Sequence, residues 1–307
     1  MTECERFIKE GLFTPDFFKP EVRCDFLVDE KRKKIWAVEL DLLMQFDRVC
    51  KKHGLHYTLL VGSVLGAVRH CGIIPWDDDI DVGMLRSDYE RFLQLKDEFP
   101  HPYFLQIPGE GEYFYAFAKL RNSNTTCLSE NFRYRNFNHG IVLDVFPLDS
   151  WIPNDDGESV YRAINSLCIE QSTWMRMSNP ELSENDKIRV ANYSGRKPSE
   201  TCKEIDLLAK RWSGQNTGFV AQATCGVYGF KRNLHPESWF ENTVEMDFEG
   251  FKFPVLSRWE EYLKHVYGDY RKLPPVVDRG RWHDGSVLDP DVPYREFLKV
   301  NYNIVQP

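Results

Sequence analysis

Val61-Gly62-Ser63-Val64-Leu65-Gly66-Ala67-Val68-Arg69-His70 runs, after a short gap, into Pro75-Trp76-Asp77-Asp78-Asp79-Ile80-Asp81-Val82. The first segment reads as a small-residue turn opening a short helix. The second places four carboxylates in five positions just before an apolar strand. Like charges at that spacing repel one another, and a divalent cation would relieve the repulsion. In a strand, residues i and i+2 share a face roughly 6.5–7 Å apart. Asp79 and Asp81 therefore project together while Ile80 turns into the core. Oxygen ligands of this kind suit one or two Mg²⁺ ions, or Mn²⁺ in their place, with waters and substrate phosphate completing the octahedra. Gly62-Ser63 supplies the complementary part, since glycine lets a diphosphate approach the backbone and the following N–H groups can receive its charge.

Outward from this block the pattern is α/β. Asp29–His53 reads as an amphipathic helix with Ile35, Val38, Leu42, Phe46 and Val49 on one face, stopped by Gly54. His56–Val61 and Ile80–Gly83 read as strands, and Ser87 with Glu90 as a capping box for a helix to about Lys96. Phe114–Arg121 and Gly140–Phe146 look like further strands. The second of these is nearly continuously apolar around Asp144, which needs a partner and is suited to be the third metal carboxylate. Val244–Phe248 and Phe251–Val255 read as a hairpin turned at Glu249-Gly250, and Ser257 with Glu260 as the cap of a helix over 258–267. A polar tail follows Pro274-Pro275.

The chain has 307 residues, 42% hydrophobic and 28% charged, with net charge −8, so it shows no basic footprint for nucleic acid. Its eight cysteines include no Cys-x-x-Cys pair, which favours reduced thiols and a cytoplasmic setting. The charged start lacks a signal-peptide core, and the longest apolar run is too short to span a bilayer. Peripheral contact with the inner face of a membrane stays compatible with the sequence.

These motifs resemble the LicD/fukutin family of phosphotransferases. The resemblance rests on 62–70 and 74–83, with further matches at Lys119-Leu120-Arg121, at Gly140–Asp149, and at Tyr267-Gly268-Asp269-Tyr270 followed by Leu273-Pro274-Pro275. It implies a nucleotidyltransferase-like mixed sheet flanked by helices. The expected organisation is an extension over 1–29, a catalytic core over 30–150, a mainly helical insertion over 151–235, and a segment over 236–307 packing back on the core. It also implies transfer of a phospho-linked small group from a CDP-activated donor to a sugar of a cell-surface glycan, such as lipopolysaccharide, or of its lipid-linked precursor, with release of CMP. Phosphocholine from CDP-choline is the first reading; ribitol or glycerol phosphate, or a nucleotidyltransferase releasing pyrophosphate, are alternatives, and a non-catalytic member ranks last. By the same resemblance Asp79, Asp81 and Asp144 are catalytic and hold metal, while Gly62 and Ser63 hold donor phosphates. No structural zinc is implied.

Other residues keep two readings. Arg69, inside the matched block, binds substrate or, with His70, caps a helix end. Lys119 and Arg121 share a strand face and bind phosphate or face solvent. Asp77 and Asp78 belong to the cluster or are solvated loop acids, and Asp78 and Asp144 are candidate general bases. Trp76, Tyr113, Tyr115 and Trp282 form a cage for a quaternary ammonium or are ordinary packing aromatics. Arg279, Arg281 and His283 close over the donor or belong to a solvated tail.

Overall fold

The computed structural model describes residues 1–129, 131–180, 182–224, 229–279 and 287–306. A helix α1 (Glu3–Lys9), capped by Thr2, and two short strands, β1 (Glu21–Arg23) and β2 (Phe26–Val28), precede the long helix α2 (Glu30–His53). Asp29 accepts the Arg32 N–H at the start of α2, and Gly54 ends it in the left-handed region at φ +60°. Its five anticipated apolar residues are fully buried, each contributing about 1.5–3 kcal/mol of transfer energy.

The chain continues through β3 (Thr58–Leu59), α3 (Val61–His70), β4 (Asp81–Leu85), α4 (Arg86–Phe92), β5 (Tyr103–Gln106), β6 (Ala118–Asn122), β7 (Thr126–Leu128) and β8 (Ile141–Ser150). Helices α5 (Asp155–Arg176), α6 (Glu184–Ala191) and α7 (Pro198–Ala209) follow, then β9 (Phe219–Ala221), α8 (Phe230–Asn233) and β10 (Leu234–Pro236). Last come β11 (Thr243–Phe248), β12 (Phe251–Leu256), α9 (Trp259–Tyr267), β13 (Val287–Asp289) and α10 (Tyr294–Tyr302). The result is the expected mixed α/β architecture. Its main sheet runs β10-β9-β8-β4-β3-β12-β11, and β6, carrying β5, also pairs with β8.

β8 organises this sheet. Residues 144–148 pair in parallel with β4, 141–145 pair antiparallel with β6, and 149–150 pair with β9. The helical stretch is thus tied to the sheet by its own strands, and it has a second core around Trp151, Tyr161, Ile205 and Trp212. The β11–β12 turn places Glu249 and Gly250 at φ +51° and +84°, the backbone that a two-residue hairpin needs.

Several expectations fail for physical reasons. Ser87 and Ser257 cap nothing: α4 and α9 begin without a side-chain cap, and α4 ends at Phe92. The strand expected from Phe114 begins at Ala118, because 114–117 are an irregular aromatic segment. The tail is not all polar: β13 pairs with β7, and α10 buries Leu298. No helix among the described residues is long and apolar enough to cross a membrane.

Candidate active site

The parallel register of β4 and β8 sets Asp81 directly opposite Asp144. The antiparallel register of β6 and β8 sets Asp144 opposite Lys119. Lys119 Nζ reaches both carboxylate oxygens of Asp144, at 2.7 and 2.8 Å. Two backbone bonds lock the arrangement, Asp144 N–H to the Ile80 carbonyl at 3.0 Å and Leu60 N–H to the Asp81 carbonyl at 2.9 Å. The Asp81 N–H donates to Ser63 Oγ at 2.9 Å, so the buried Ser63 hydroxyl fixes the carboxylate strand against the start of α3.

That helix start is strained. Val61, a β-branched residue, sits at φ +46°, and its N–H donates to the Tyr262 hydroxyl. Gly62 has no room to spare, since a Cβ there would lie 3.3 Å from the Asp77 carboxylate. Gly66 is more demanding: its Cβ would stand 2.4 Å from the Gly72 carbonyl oxygen. The loop after α3 is held from a distance by Glu249, which accepts the Ile73 N–H and pairs with Arg23.

Three cavities meet at Asp79. One of ≈ 490 Å³ is lined by Gly62, Arg69, Trp76 and Asp77 together with Asp79 and Asp81. One of ≈ 380 Å³ is lined by Asp79, Asp81, Asp144 and Lys119, by aromatic rings of 114–117, and by residues of the helical segment. The smallest, ≈ 130 Å³, includes Asp78, Arg121 and His139. Burial, then the charges of Asp77, Asp81, Asp78 and Asp144, push the half-buried Asp79 well above the ordinary carboxylate range.

The donor chemistry of Asp79, Asp81 and Asp144 suits a hard divalent cation, for all three are carboxylates and line one cavity. Among the described residues no group of three or more His, Cys, Asp or Glu side chains is gathered closely enough to hold a metal ion as it stands, and the Asp144 carboxylate is turned onto the Lys119 ammonium.

The remaining residues sort by contact. Lys119 and Arg121 do not form a solvent face, because every residue of β6 is buried. Arg121 donates to Gln106 Oε1 and to the Gly140 carbonyl. Arg69 lines the ≈ 490 Å³ cavity and donates to the carbonyls of Tyr270 and Lys272 and to His70 Nε2. Burial, then Arg69, Arg23 and Arg279, push His70 down to about 4. Asp78 is buried rather than solvated, and the Asp77 carbonyl accepts from Arg32 and Trp36. Of the three cage aromatics among the described residues, Trp76 and Tyr115 line different cavities, Tyr113 is buried with its hydroxyl on the Phe117 carbonyl, and Trp76 already faces Arg279 at 4.7 Å. Arg279 also donates to the Cys24 and Pro274 carbonyls, while Arg281, Trp282 and His283 lie outside the described residues.

Sequence reasoning missed Glu39. It lies buried in α2, its carboxyl pushed up by burial and then by Asp78 and Asp77. A charged residue between Val38 and Leu40, in the middle of an apolar helix face, was the available signal.

Residues 54–149 match the family model described as LicD/FKTN/FKRP, nucleotidyltransferase domain. This segment is a LicD-family nucleotidyltransferase domain. It spans β3 to β8 and so contains the whole carboxylate constellation together with Lys119. Beyond it, the chain is 25% identical over 256 residues to the lipopolysaccharide cholinephosphotransferase LicD of Haemophilus influenzae, covering 80% of this chain and 92% of that protein. A shorter stretch of 48 residues is 46% identical to the human ribitol 5-phosphate transferase FKRP, covering 16% of this chain and 10% of that protein. An uncharacterized protein of Rickettsia typhi is 40% identical over 58 residues, 19% of each chain. The LicD domain is therefore embedded in a chain that resembles the Haemophilus protein along most of its length.

Proposed function

We propose that the protein is a metal-dependent phosphotransferase that moves phosphocholine from CDP-choline onto a sugar of a cell-surface glycan or its lipid-linked precursor, releasing CMP. The observation that carries the reading is the register of Asp81 against Asp144 beside Asp79, at the mouth of the Gly62-Ser63 turn. The choice of choline rests on the long similarity to the Haemophilus cholinephosphotransferase. Ribitol phosphate from CDP-ribitol is the second reading, favoured by the local match to FKRP.

In this reading the donor lies along the ≈ 490 Å³ cavity, where Gly62 admits its phosphates to the backbone and Arg69 faces them. Asp79, Asp81 and Asp144 would hold Mg²⁺ or Mn²⁺, which supplies charge neutralisation for the attacking and leaving oxygens. Ser63 sets the position of Asp81, and Lys119 sets that of Asp144. An acceptor hydroxyl attacks the phosphorus that bears the transferred group; its O–P bond forms as the bond to CMP breaks. The hydroxyl proton passes to one of the two candidate bases, Asp144, which lines the ≈ 380 Å³ cavity but is paired with Lys119, or Asp78, which lines the adjoining ≈ 130 Å³ cavity. Arg121 acts indirectly, tying β6 to β5 and to the start of β8.

Product analysis tests the reading. With CDP-choline, CDP-ribitol, CDP-glycerol and CDP-ethanolamine in Mg²⁺, CMP should be released from CDP-choline most rapidly in the presence of a glycan acceptor. Release of pyrophosphate from CTP, with no CMP from any conjugate, would replace it by nucleotidyl transfer.

A further inference from the structure

The ≈ 380 Å³ cavity has a second wall that the carboxylate chemistry does not use. It is made of Cys168, Gln171 and Ser172 on α5, Gln222 and Thr224 after β9, and Asn233 at the end of α8. Every one of these side chains is uncharged. We propose that this wall is the acceptor subsite and binds the hydroxyl groups of a neutral sugar. The proposal rests on the phosphotransfer reading above, which supplies the sugar acceptor, and adds the residues that hold it and the absence of charge that they select.

The wall is built rather than incidental. Ala221 and Ala223 are fully buried in the second core, and the residues alternating with them, Gln222 and Thr224, line the cavity. Packing against Trp151, Ile205 and Trp212 thus fixes where the two polar side chains stand. Gln222 and Thr224 are only 3% and 4% exposed, and Thr224 Oγ1 has no hydrogen-bond partner among the described residues. A buried hydroxyl without a partner costs about 1–3 kcal/mol, which a ligand hydroxyl at that position would recover. Gln171 is oriented from behind, its amide donating to Cys202 Sγ, and Asn233 is oriented by the Tyr161 hydroxyl.

The wall itself offers a charged ligand no counter-charge. Among the described residues lining this cavity Lys119 is the one cation, and it is already paired with Asp144. The rings nearest the carboxylates already have a cation, for the Lys119 ammonium lies 4.5 Å from the Tyr115 ring centre and 5.1 Å from that of Phe117. A sugar needs no counter-charge. Its hydroxyls match amide and hydroxyl groups, and its C–H face can lie on Phe114, Phe132 or Phe146.

The test compares the wild type with Thr224→Val and Gln222→Leu, near-isosteric changes whose folding is checked by melting temperature. Binding of methyl glucoside, methyl galactoside and methyl N-acetylglucosaminide is followed by saturation-transfer NMR, and protection by CDP-choline with Mg²⁺ by thermal shift. At least one glycoside should bind the wild type, and both variants should weaken it by about tenfold while keeping the CDP-choline shift. Binding of no glycoside, or equal binding by all three proteins, overturns the subsite; so does loss of the CDP-choline shift in the variants, which would assign the wall to the donor. Absence of any CDP-choline shift in the wild type counts against the phosphotransfer reading instead, and the glycoside arm still decides the subsite.

Discussion

Lys119→Met removes the cation that holds Asp144 and leaves a carboxylate on a buried strand without its partner. The Lys119 and Asp144 side chains are 9% and 14% exposed, so water screens them little. At about 3 Å and an effective dielectric of about 20 the gross attraction is roughly 5–6 kcal/mol, and desolvation offsets part of it. Breaking a buried pair from one side costs about 3–5 kcal/mol. In a chain of this size that corresponds to a fall in melting temperature of about 6–10 °C, at about 2 °C per kcal/mol. The assay is thermal or urea unfolding in EDTA and again in Mg²⁺. The variant should be destabilised in EDTA and regain much of the loss in Mg²⁺, because a cation bound only by the folded state supplies the missing charge. Lys119→Met with Asp144→Asn should be less destabilised than the sum of the two single changes by about 2 kcal/mol or more. A single variant melting within about 1 °C of wild type in EDTA, or strict additivity in the double variant, would refute the coupling.

Three further predictions follow from other contacts. Gly66→Ala drives a Cβ to 2.4 Å from the Gly72 carbonyl, a backbone atom that cannot swing away; it should cost about 1–3 kcal/mol by urea unfolding, and an unchanged midpoint would contradict the close approach. Burial pushes His139 down to about 3, so the unfolded chain binds a proton that the folded one refuses between its ordinary value near 6.5 and about 3. Its contribution is therefore complete above about 6.5 and lost as pH falls, at about 1.4 kcal/mol per pH unit, and His139→Gln should fall less steeply by that amount between pH 6.5 and 4. Arg86→Met strands the fully buried Asp149, which Arg86 grips through two bonds of 2.6 and 2.9 Å; a loss of about 3–5 kcal/mol is expected, and Asp149→Asn in the same chain should recover part of it.

The parts of the fold legible in sequence are those whose signals are local. Asp29 and Gly54 bound α2 because capping chemistry acts within one turn, and Glu249-Gly250 turns a hairpin because its backbone angles belong to those two residues. Asp79, Asp81 and Asp144 stood out because acids beside or within apolar strands need a reason. What stayed hidden depends on contacts far along the chain. Lys119 and Arg121 look like an exposed face until residues of the neighbouring strands and loops engage them, Asp144 holding Lys119, and Gln106 and the Gly140 carbonyl holding Arg121. Ser87 and Ser257 have the spacing of capping boxes, yet their helices begin elsewhere, because tertiary contacts rather than the motif set the first turn. Ser63 reads as a phosphate ligand by position, whereas its hydroxyl accepts the Asp81 N–H, a bond visible only once α3 lies beside β4. The Gln222–Thr224 wall carried no sequence signal, since its meaning comes from Ala221 and Ala223 packing on the other side.

The most direct test of the account is turnover by Asp79→Asn with Asp81→Asn, measured as CMP released from CDP-choline in Mg²⁺ with a glycan acceptor. Removing two of the three carboxylates also relieves the crowding that pushes up Asp79, so the double variant should melt no lower than wild type while transfer falls to background. Near-normal CMP release from that folded variant would contradict the assignment of the carboxylate cluster as the phosphotransfer site.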